Sequence, residues 1–183
     1  VIPETIDGYT VVEIGAEAFY NFDSLVSVKI PASVTSIGEK AFYDCDGIMD
    51  ITIPESVITI GKDAFVSCDK LAIVLMGKSV RLIENGAFNV CNALTTVCYT
   101  GTEEEWNSIV IGENNQPLLD ATKNFEYGNL DAISGTCGEN LTWALDLYSG
   151  VLTISGTGEM YEYGSLEYPW INYKSSIGEV VIS

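Results

Sequence analysis

Apolar side chains recur along this chain at intervals of 23 residues. The segment from Leu25 to Cys45 follows the pattern L-x-x-V-x-I-P-x-x-V-x-x-I-G-x-x-A-F-x-x-C, and the neighbouring segments repeat it with little change. Its phenylalanine position is filled by Phe19, Phe42, Phe65 and Phe88. A repeat with a fixed period of about 20 to 29 residues cannot bury its apolar face alone and needs its neighbours. The pattern therefore predicts a solenoid of stacked 23-residue coils.

The alternation within one coil predicts its local structure. In Ser27–Ile30, polar residues alternate with valine and isoleucine, which predicts a short strand with Ser27 and Lys29 facing solvent. Pro31 cannot donate to a strand ladder and should end the strand. The pair Ala41–Phe42 predicts a short helical or 3₁₀ turn on the back of the coil. Because stacked strands lie about 4.8 Å apart, the four phenylalanine rings should form a continuous spine.

The repeat resembles the BspA-like, or Treponema pallidum-type, leucine-rich repeats, whose pattern is LxxLxLPxxLxxIxxxAFxxC. The resemblance covers residues 1 to about 99, over four coils. It implies a right-handed leucine-rich-repeat solenoid of the α/β class, with short strands and little helix. It also implies a bacterial cell-surface or secreted protein that acts in adhesion or recognition of host proteins or other microbes, without enzymatic activity.

After the fourth coil the sequence register stops, and a cap is predicted. Thr102 and Glu105 have the spacing of a capping box, which predicts a helix from about Glu103 to Ile109. We expect Trp106 to cover the exposed end of the phenylalanine spine. A last strand is predicted over Asn124–Tyr127.

Composition changes beyond the cap, where the chain becomes rich in glycine and aromatic residues. We assign residues 1–128 to the solenoid with its C-terminal cap and residues 129–183 to a small β-rich module. Two alternating runs, Leu141–Leu147 and Val151–Ser155, are joined by Tyr-Ser-Gly and predict a β-hairpin.

The last residues of the sequence return to the repeat spacing. Ile177, Val180 and Ile182 reproduce the L-x-x-V-x-I positions and are expected to form the first strand of a further array, capped by Trp170 and Tyr173. We therefore expect a V-x-x-I-G-x-x-A-F segment to follow within about 20 residues in the parent sequence.

The solvent-facing strand positions are the candidate partner-binding residues. In leucine-rich repeats this sheet face is the usual recognition surface, and the apolar Ile73 and Leu75 at its middle are expected to be exposed there. The alternatives are a modest hydrophobic surface or contact with the neighbouring module. The candidate positions are Ser27, Lys29, Asp50, Thr52, Ile73, Leu75, Thr96 and Cys98.

The cysteines predict a buried ladder rather than a metal site. Cys45, Cys68 and Cys91 also recur every 23 residues, and neither a C-x-x-C pair nor a histidine accompanies them. Cysteine packs as a small apolar side chain, so free thiols in the core are the main interpretation. A disulfide between neighbouring coils stays open, and Cys98 and Cys137 have no partner by any pattern.

Charge and composition exclude several classes of function. With 26 acidic and 8 basic residues, the formal net charge is -18, which disfavours nucleic acids and anionic membrane surfaces as partners. The absence of histidine removes the commonest general base and transition-metal ligand. No apolar run reaches the roughly 20 residues of a membrane span. We predict no catalytic residues, no cofactor and no membrane insertion.

Three functions remain open on the sequence. The first is protein recognition or adhesion at a cell surface, through the solenoid sheet. The second is glycan binding by late aromatic residues, which could instead form the core of the small module. The third is a structural spacer. The aromatic residues concerned are Tyr161, Tyr163, Tyr168, Trp170 and Tyr173.

Overall fold

The chain forms two compact units, Val1–Tyr127 and Gly128–Ser183, in a computed structural model. The structure describes residues 1–125, 133–146, 151–162, 169–170 and 177–182.

The first unit is a solenoid built on two parallel sheets. In chain order, its strands are β1 (Thr5–Ile6), β2 (Tyr9–Thr10), β3 (Glu13–Ile14), β4 (Ser36–Ile37), β5 (Asp50–Ile53), β6 (Thr59–Ile60), β7 (Ile73–Met76), β8 (Leu82–Ile83), β9 (Thr96–Tyr99), β10 (Val110–Ile111) and β11 (Thr122–Asn124). The helices described are α1 (Glu103–Asn107) and α2 (Gln116–Asp120). One sheet contains β5, β7, β9 and β11, the other contains β3, β4, β6, β8 and β10, and β1 pairs with β2 in a hairpin. The predicted solenoid with short strands and little helix is confirmed.

The core lies between the sheets and repeats from coil to coil. One isoleucine per coil, at positions 14, 37, 60 and 83, is buried against the phenylalanine rings. Consecutive phenylalanine rings stack nearly parallel, with centroids 5.1, 5.2 and 5.1 Å apart. This confirms the predicted spine. Each large-to-small change here would leave a cavity between two coils, at a cost of about 3–5 kcal/mol for phenylalanine to alanine.

The back of each coil is a turn and not the helical or 3₁₀ turn that we predicted. Lys40 and Asp44, on either side of Phe42, have left-handed backbone conformations with φ of 54° and 59°. The N–H groups of these three residues donate to carbonyls of the next coil, as Phe42 does to Ala64 at 2.8 Å. Because these donors point along the stack, a helix with its internal i→i−4 bonds cannot form here.

The strand predicted at Ser27–Ile30 is absent from the first sheet. Residues 1–3 lie beside the segment 27–30, and the Ile2 N–H donates to the Lys29 carbonyl at 3.1 Å. Pro3 has no N–H that could add a second bond. The sheet therefore begins one coil later than predicted, at β5.

The cap is itself a fifth coil of the backbone. Strand β10 pairs in parallel with β8, and β11 with β9, so both sheets continue beyond the visible repeat. The Thr102–Glu105 capping box is confirmed, and α1 ends at Asn107, two residues earlier than predicted. Strand β11 starts two residues before the strand we predicted at Asn124–Tyr127, whose last two residues lie outside the described part of the chain.

Trp106 is buried in the cap but does not cover the phenylalanine spine. Its ring packs edge-on against Tyr99, with centroids 5.4 Å apart, and also lies 6.5 Å from the Phe125 ring. Trp106 therefore closes the sheet side of the core instead of the end at Phe88.

Asn115 ends the ladder of the back turns. In earlier coils the phenylalanine N–H donates to a backbone carbonyl of the following coil, whereas the Phe88 N–H donates to Asn115 Oδ1 at 2.9 Å. Asn115 Nδ2 donates to the carbonyls of Glu84 and Gly112 at 2.9 and 3.0 Å. The side chain is 1% exposed. Its amide thus replaces the peptide group that a further repeat would supply.

The second unit contains one four-stranded sheet in the described residues. Its strands, in the order of the sheet, are β12 (Ile133–Thr136), β13 (Leu141–Asp146), β14 (Val151–Gly156) and β15 (Glu179–Ile182). Strands β13 and β14 are antiparallel, as predicted for the hairpin, although its Tyr-Ser-Gly connection lies outside the described residues. Strand β15 pairs in parallel with β14 and all four of its residues are exposed.

We predict that Asn115→Ala lowers the free energy of unfolding by about 2–4 kcal/mol, because one buried N–H and two carbonyls lose their partner. Chemical denaturation of the full chain measures this change. Asn107→Ala, at an exposed position of α1, is the control and should stay within about 0.5 kcal/mol of the parent. Equal midpoints for the two variants would show that Asn115 does not end the ladder.

We also predict that Val90→Asn stabilises the chain by about 1 kcal/mol, because a β-branched residue is strained in the left-handed region. Val90 has φ of 58°, and the equivalent Asn21 and Asp44 have residue types that tolerate this conformation. Val110→Asn is the control, since Val110 is also exposed but lies in extended β10. The prediction fails if Val90→Asn does not raise the melting temperature above that of the parent chain, or if Val110→Asn raises it equally.

Candidate recognition surface

The candidate recognition surface is the outward side of the sheet formed by β5, β7, β9 and β11, which we call the sheet face. Along each strand, side chains alternate between the core and this face. Its members, by strand, are Asp50 and Thr52, Ile73 and Leu75, Thr96 and Cys98, and Thr122 and Asn124.

The parallel register aligns these residues in two rows across the strands. Asp50 pairs with Ile73, which pairs with Thr96, which pairs with Thr122. The second row runs from Thr52 through Leu75 and Cys98 to Asn124. Neighbouring members of a row are about 4.8 Å apart, so one partner can contact a whole row.

The structure separates the predicted residues into accessible and buried positions. Asp50, Thr52, Ile73 and Thr96 are half-buried and share the sheet face. Leu75 is only 4% exposed, so the prediction that it offers an exposed apolar side chain is wrong. It lies outside the core cluster of the solenoid. The sequence pattern shows that the Leu75 side chain faces outward, but it does not show whether that side chain is exposed to solvent.

Two other predictions about this surface also require correction. Cys98 is 5% exposed, and the amide of Asn124 lies 3.8 Å from its sulfur. Ser27 and Lys29 precede the first strand of the sheet and are not members of it, although Ser27 is exposed and Lys29 half-buried. Fewer of the predicted residues are therefore accessible on the sheet face than the sequence suggested.

Sequence reasoning missed four residues on or beside this face. Thr122 and Asn124 extend its two rows, but the repeat is unrecognisable there because Thr122 follows Thr96 by 26 positions instead of 23. Val26 and Met49 are 68% and 56% exposed just before the strand segments. The sequence could have indicated them, because Val26 and Met49 are large apolar residues at a repeat position where the later coils have the smaller Ala72 and Thr95.

The cysteine ladder has a structural role in the solenoid. The thiols of Cys45, Cys68 and Cys91 each donate to the carbonyl of the phenylalanine in the preceding coil, at 3.0, 3.2 and 3.0 Å. All five cysteines of the chain are free and buried. Each ladder thiol therefore pairs with a carbonyl on the back of the previous coil.

Burial also makes these thiols poor nucleophiles and poor metal ligands. Desolvation raises the pKa of Cys68 strongly and that of Cys91 to about 12. The thiolate, which is the reactive and metal-binding form, is therefore disfavoured at neutral pH. Among the residues that the structure describes, no group of three histidine, cysteine or acidic side chains could hold a metal ion.

The late aromatic residues are only partly within the described residues. Tyr161 is 53% exposed, and the half-buried Trp170 packs edge-on against Trp143 with centroids 5.8 Å apart. Tyr163, Tyr168 and Tyr173 lie outside the described residues. Trp170 thus contributes to packing within the second unit. Of the helices described, neither has the length or apolar character to cross a membrane.

Solved structures of bacterial leucine-rich-repeat proteins are similar to this chain. The T. pallidum leucine rich repeat protein is 30% identical, with 62% of this chain and 67% of that chain covered and a TM-score of 0.45. A leucine-rich repeat protein from Bacteroides ovatus is 29% identical, with 64% and 29% covered and a TM-score of 0.51. A leucine rich cell surface protein from Faecalibacterium prausnitzii is 20% identical, with 90% and 55% covered and a TM-score of 0.39.

Of these three likenesses, the one to the Bacteroides ovatus structure has a TM-score above 0.5 and supports the solenoid fold, although the chain spans less than a third of that protein. No curated protein sequence matches the chain. The family model described as the BspA type leucine rich repeat region, with six copies, matches residues 8–115. That match passes residue 99, where the visible repeat ends, and reaches through β10 to Asn115. Because it covers more than half of the sequence, the chain belongs to the BspA type leucine-rich-repeat family.

Proposed function

We propose that this chain is a non-enzymatic recognition module of a bacterial surface or secreted protein. It binds a protein on a host or microbial surface through the accessible part of the sheet face. The residues that carry the contact are Asp50, Thr52, Ile73, Thr96, Thr122 and Asn124, with Ser27 and Lys29 at the edge.

The observation that carries this proposal is the difference between the two sides of one sheet. Core-facing positions keep similar side chains from coil to coil, as in the row Ile51, Val74 and Val97. The equivalent outward row changes from the acidic Asp50 to the apolar Ile73 and then to threonine. Packing constrains the first row, whereas the second row changes in charge and polarity from coil to coil.

The dimensions and charge of the solenoid support a protein partner. Regularly spaced rows form an extended surface, which suits a polypeptide better than a small molecule. A net charge of -18 favours partners with basic surfaces and speeds their association. We therefore expect the binding to weaken as salt is added.

Membership of the BspA type family supports the surface location. The five cysteines are free and buried, so the fold does not depend on disulfides. The glycan-binding and spacer functions remain alternatives, and binding measurements on treated target surfaces separate them from protein recognition.

The test compares two double variants with the same added charge. Thr52→Arg with Thr96→Arg alters the sheet face, and Thr35→Arg with Thr59→Arg alters outward positions on the other side of the coils. Fluorescent full-length chain is applied to epithelial cells, to bacterial cells and to surfaces coated with extracellular-matrix protein. We expect the first variant to bind at least about tenfold more weakly than the second. Blocking a hot-spot residue typically costs more than about 1.4 kcal/mol of binding free energy, which corresponds to a tenfold change in the dissociation constant.

Treatment of the target surfaces separates the alternatives. Protease digestion of the target should abolish the binding, whereas periodate oxidation of its glycans should leave it unchanged. Loss of binding after periodate alone would favour glycan recognition. Binding to none of the surfaces, or equal weakening by the two double variants, would overturn the proposal.

A further inference from the structure

A concave pocket of about 500 Å³ lies at the C-terminal end of the solenoid, beside the sheet face, with which it shares Thr122. It is formed where residues 91–95, the corner of the fourth coil, meet α2 and Thr122. In earlier coils the next copy of the same corner covers this position, and Leu71 is fully buried there. Above the fourth coil, α2 takes the place of that copy. The helix has a different shape from a corner, so the end of the solenoid keeps a cleft.

The pocket has an apolar floor and a polar rim. Leu94, Pro117 and Ala121 provide the apolar surface, with Leu94 and Ala121 buried. The rim side chains are exposed, and they are those of Asn92, Thr95, Gln116, Asp120 and Thr122. The pocket is an open cleft with an apolar surface and polar groups at its rim, and its volume lies within the range of about 300–1,000 Å³ that small-molecule sites have.

Hydrogen bonds hold the polar rim in place. Gln116 Nε2 donates to Asp120 Oδ1 at 2.6 Å, which orients the carboxylate across one turn of α2. The Thr122 N–H donates to the Thr95 carbonyl at 2.8 Å and joins the two sides of the pocket. Asn92 Nδ2 lies 3.5 Å from Asp69 Oδ1. A rim that is ordered before binding loses less entropy when a ligand binds.

The rim still has free hydrogen-bonding capacity after these contacts. Asp120 Oδ1 is occupied, while Oδ2 has no hydrogen-bond partner among the described residues. The side-chain oxygens of Asn92 and Gln116 are likewise available as acceptors, and the Thr122 hydroxyl is available as a donor. A carboxylate oxygen flanked by amides is suited to accept from neighbouring hydroxyl groups of one ligand.

The chemistry of the lining restricts the class of ligand. No lysine or arginine lines the pocket, although the charge of Lys123 interacts with that of Asp120 from beside it, so an anionic ligand would meet one carboxylate within the pocket and a chain of net charge -18. A single carboxylate does not make a metal site, and no metal-binding group of three occurs among the described residues. A purely apolar ligand would leave the polar rim without partners.

We propose that this pocket, formed by the fourth-coil corner and α2, binds a neutral sugar residue. Its ring hydroxyl groups donate to Asp120 Oδ2 and pair with the amides of Asn92 and Gln116, while its C–H face lies on Leu94 and Pro117. The pocket shares Thr122 with the sheet face, but Asp120, Asn92 and Gln116 belong to the pocket alone, so this site exists whether or not the sheet face binds a protein.

The experiment is a titration of the ¹⁵N-labelled full chain, followed by amide chemical shifts. The probes are glucose, galactose, mannose and N-acetylglucosamine, with glucuronic acid and N-acetylneuraminic acid as anionic comparisons. We expect at least one neutral sugar to shift the amides of residues 91–95 and 116–122 with a dissociation constant of about 1–10 mM, and the acids to bind at least about tenfold more weakly.

Matched variants assign the effect to the rim. Asp120→Ala should weaken the binding by about tenfold and Thr122→Val by about threefold, since they remove a charged and a neutral hydrogen bond. Glu113→Ala, which removes an exposed carboxylate outside the pocket, and Thr59→Val, which removes an outward hydroxyl on β6, should leave the binding unchanged. Melting temperatures establish that each variant is folded.

Several outcomes would overturn the proposal. These are no shift of the pocket amides at about 50 mM of every neutral sugar, equal binding of the acidic sugars, or equal effects of Asp120→Ala and Glu113→Ala. A chain that binds cells through the sheet face but fails this titration lacks the sugar site only. A chain that passes the titration but binds no surface lacks the protein-recognition function only.

Discussion

Hydrogen bonds between successive coils are the interaction on which this structure depends. On the back of the solenoid, the N–H of each spine phenylalanine donates to the coil that follows, as Phe65 does to Ala87 at 2.7 Å. The two flanking left-handed residues direct the neighbouring donors the same way. These bonds set the spacing of the coils, and the ring stacking and the two parallel sheets follow from that spacing. No coil is complete without the next one, so the last coil needs a substitute.

The cap supplies that substitute with side chains and with a modified coil. Asn115 presents its amide where the peptide group of a fifth repeat would lie, and β10 and β11 continue the two sheets. Helix α2 cannot reproduce the shape of a repeat corner, and the cleft beside Asp120 is the result. The irregular end of a solenoid is thus the place where a pocket can exist, because regular coils cover one another completely.

The same geometry explains why function must be sought outside the repeated positions. Core-facing residues such as Ile51 and Val74 satisfy packing against the adjacent coils and have no freedom to recognise anything else. Outward residues of the sheet face and rim residues of the cap are free of that demand. Both surfaces present hydroxyl and amide groups with one carboxylate each, that of Asp50 on the sheet face and that of Asp120 in the pocket.

The sequence alone determined the period, the identity of the core positions and the phenylalanine spine, because a 23-residue repeat leaves one way to bury its apolar residues. It also identified the capping box at Thr102 and the hairpin of the second unit, since both depend on residues close together in the chain. The tertiary structure decided the left-handed back turns, the fifth coil, the role of Asn115 and the burial of Leu75. Each of these depends on partners more than 20 positions away or on what covers an outward side chain, and a pattern of residue types contains neither.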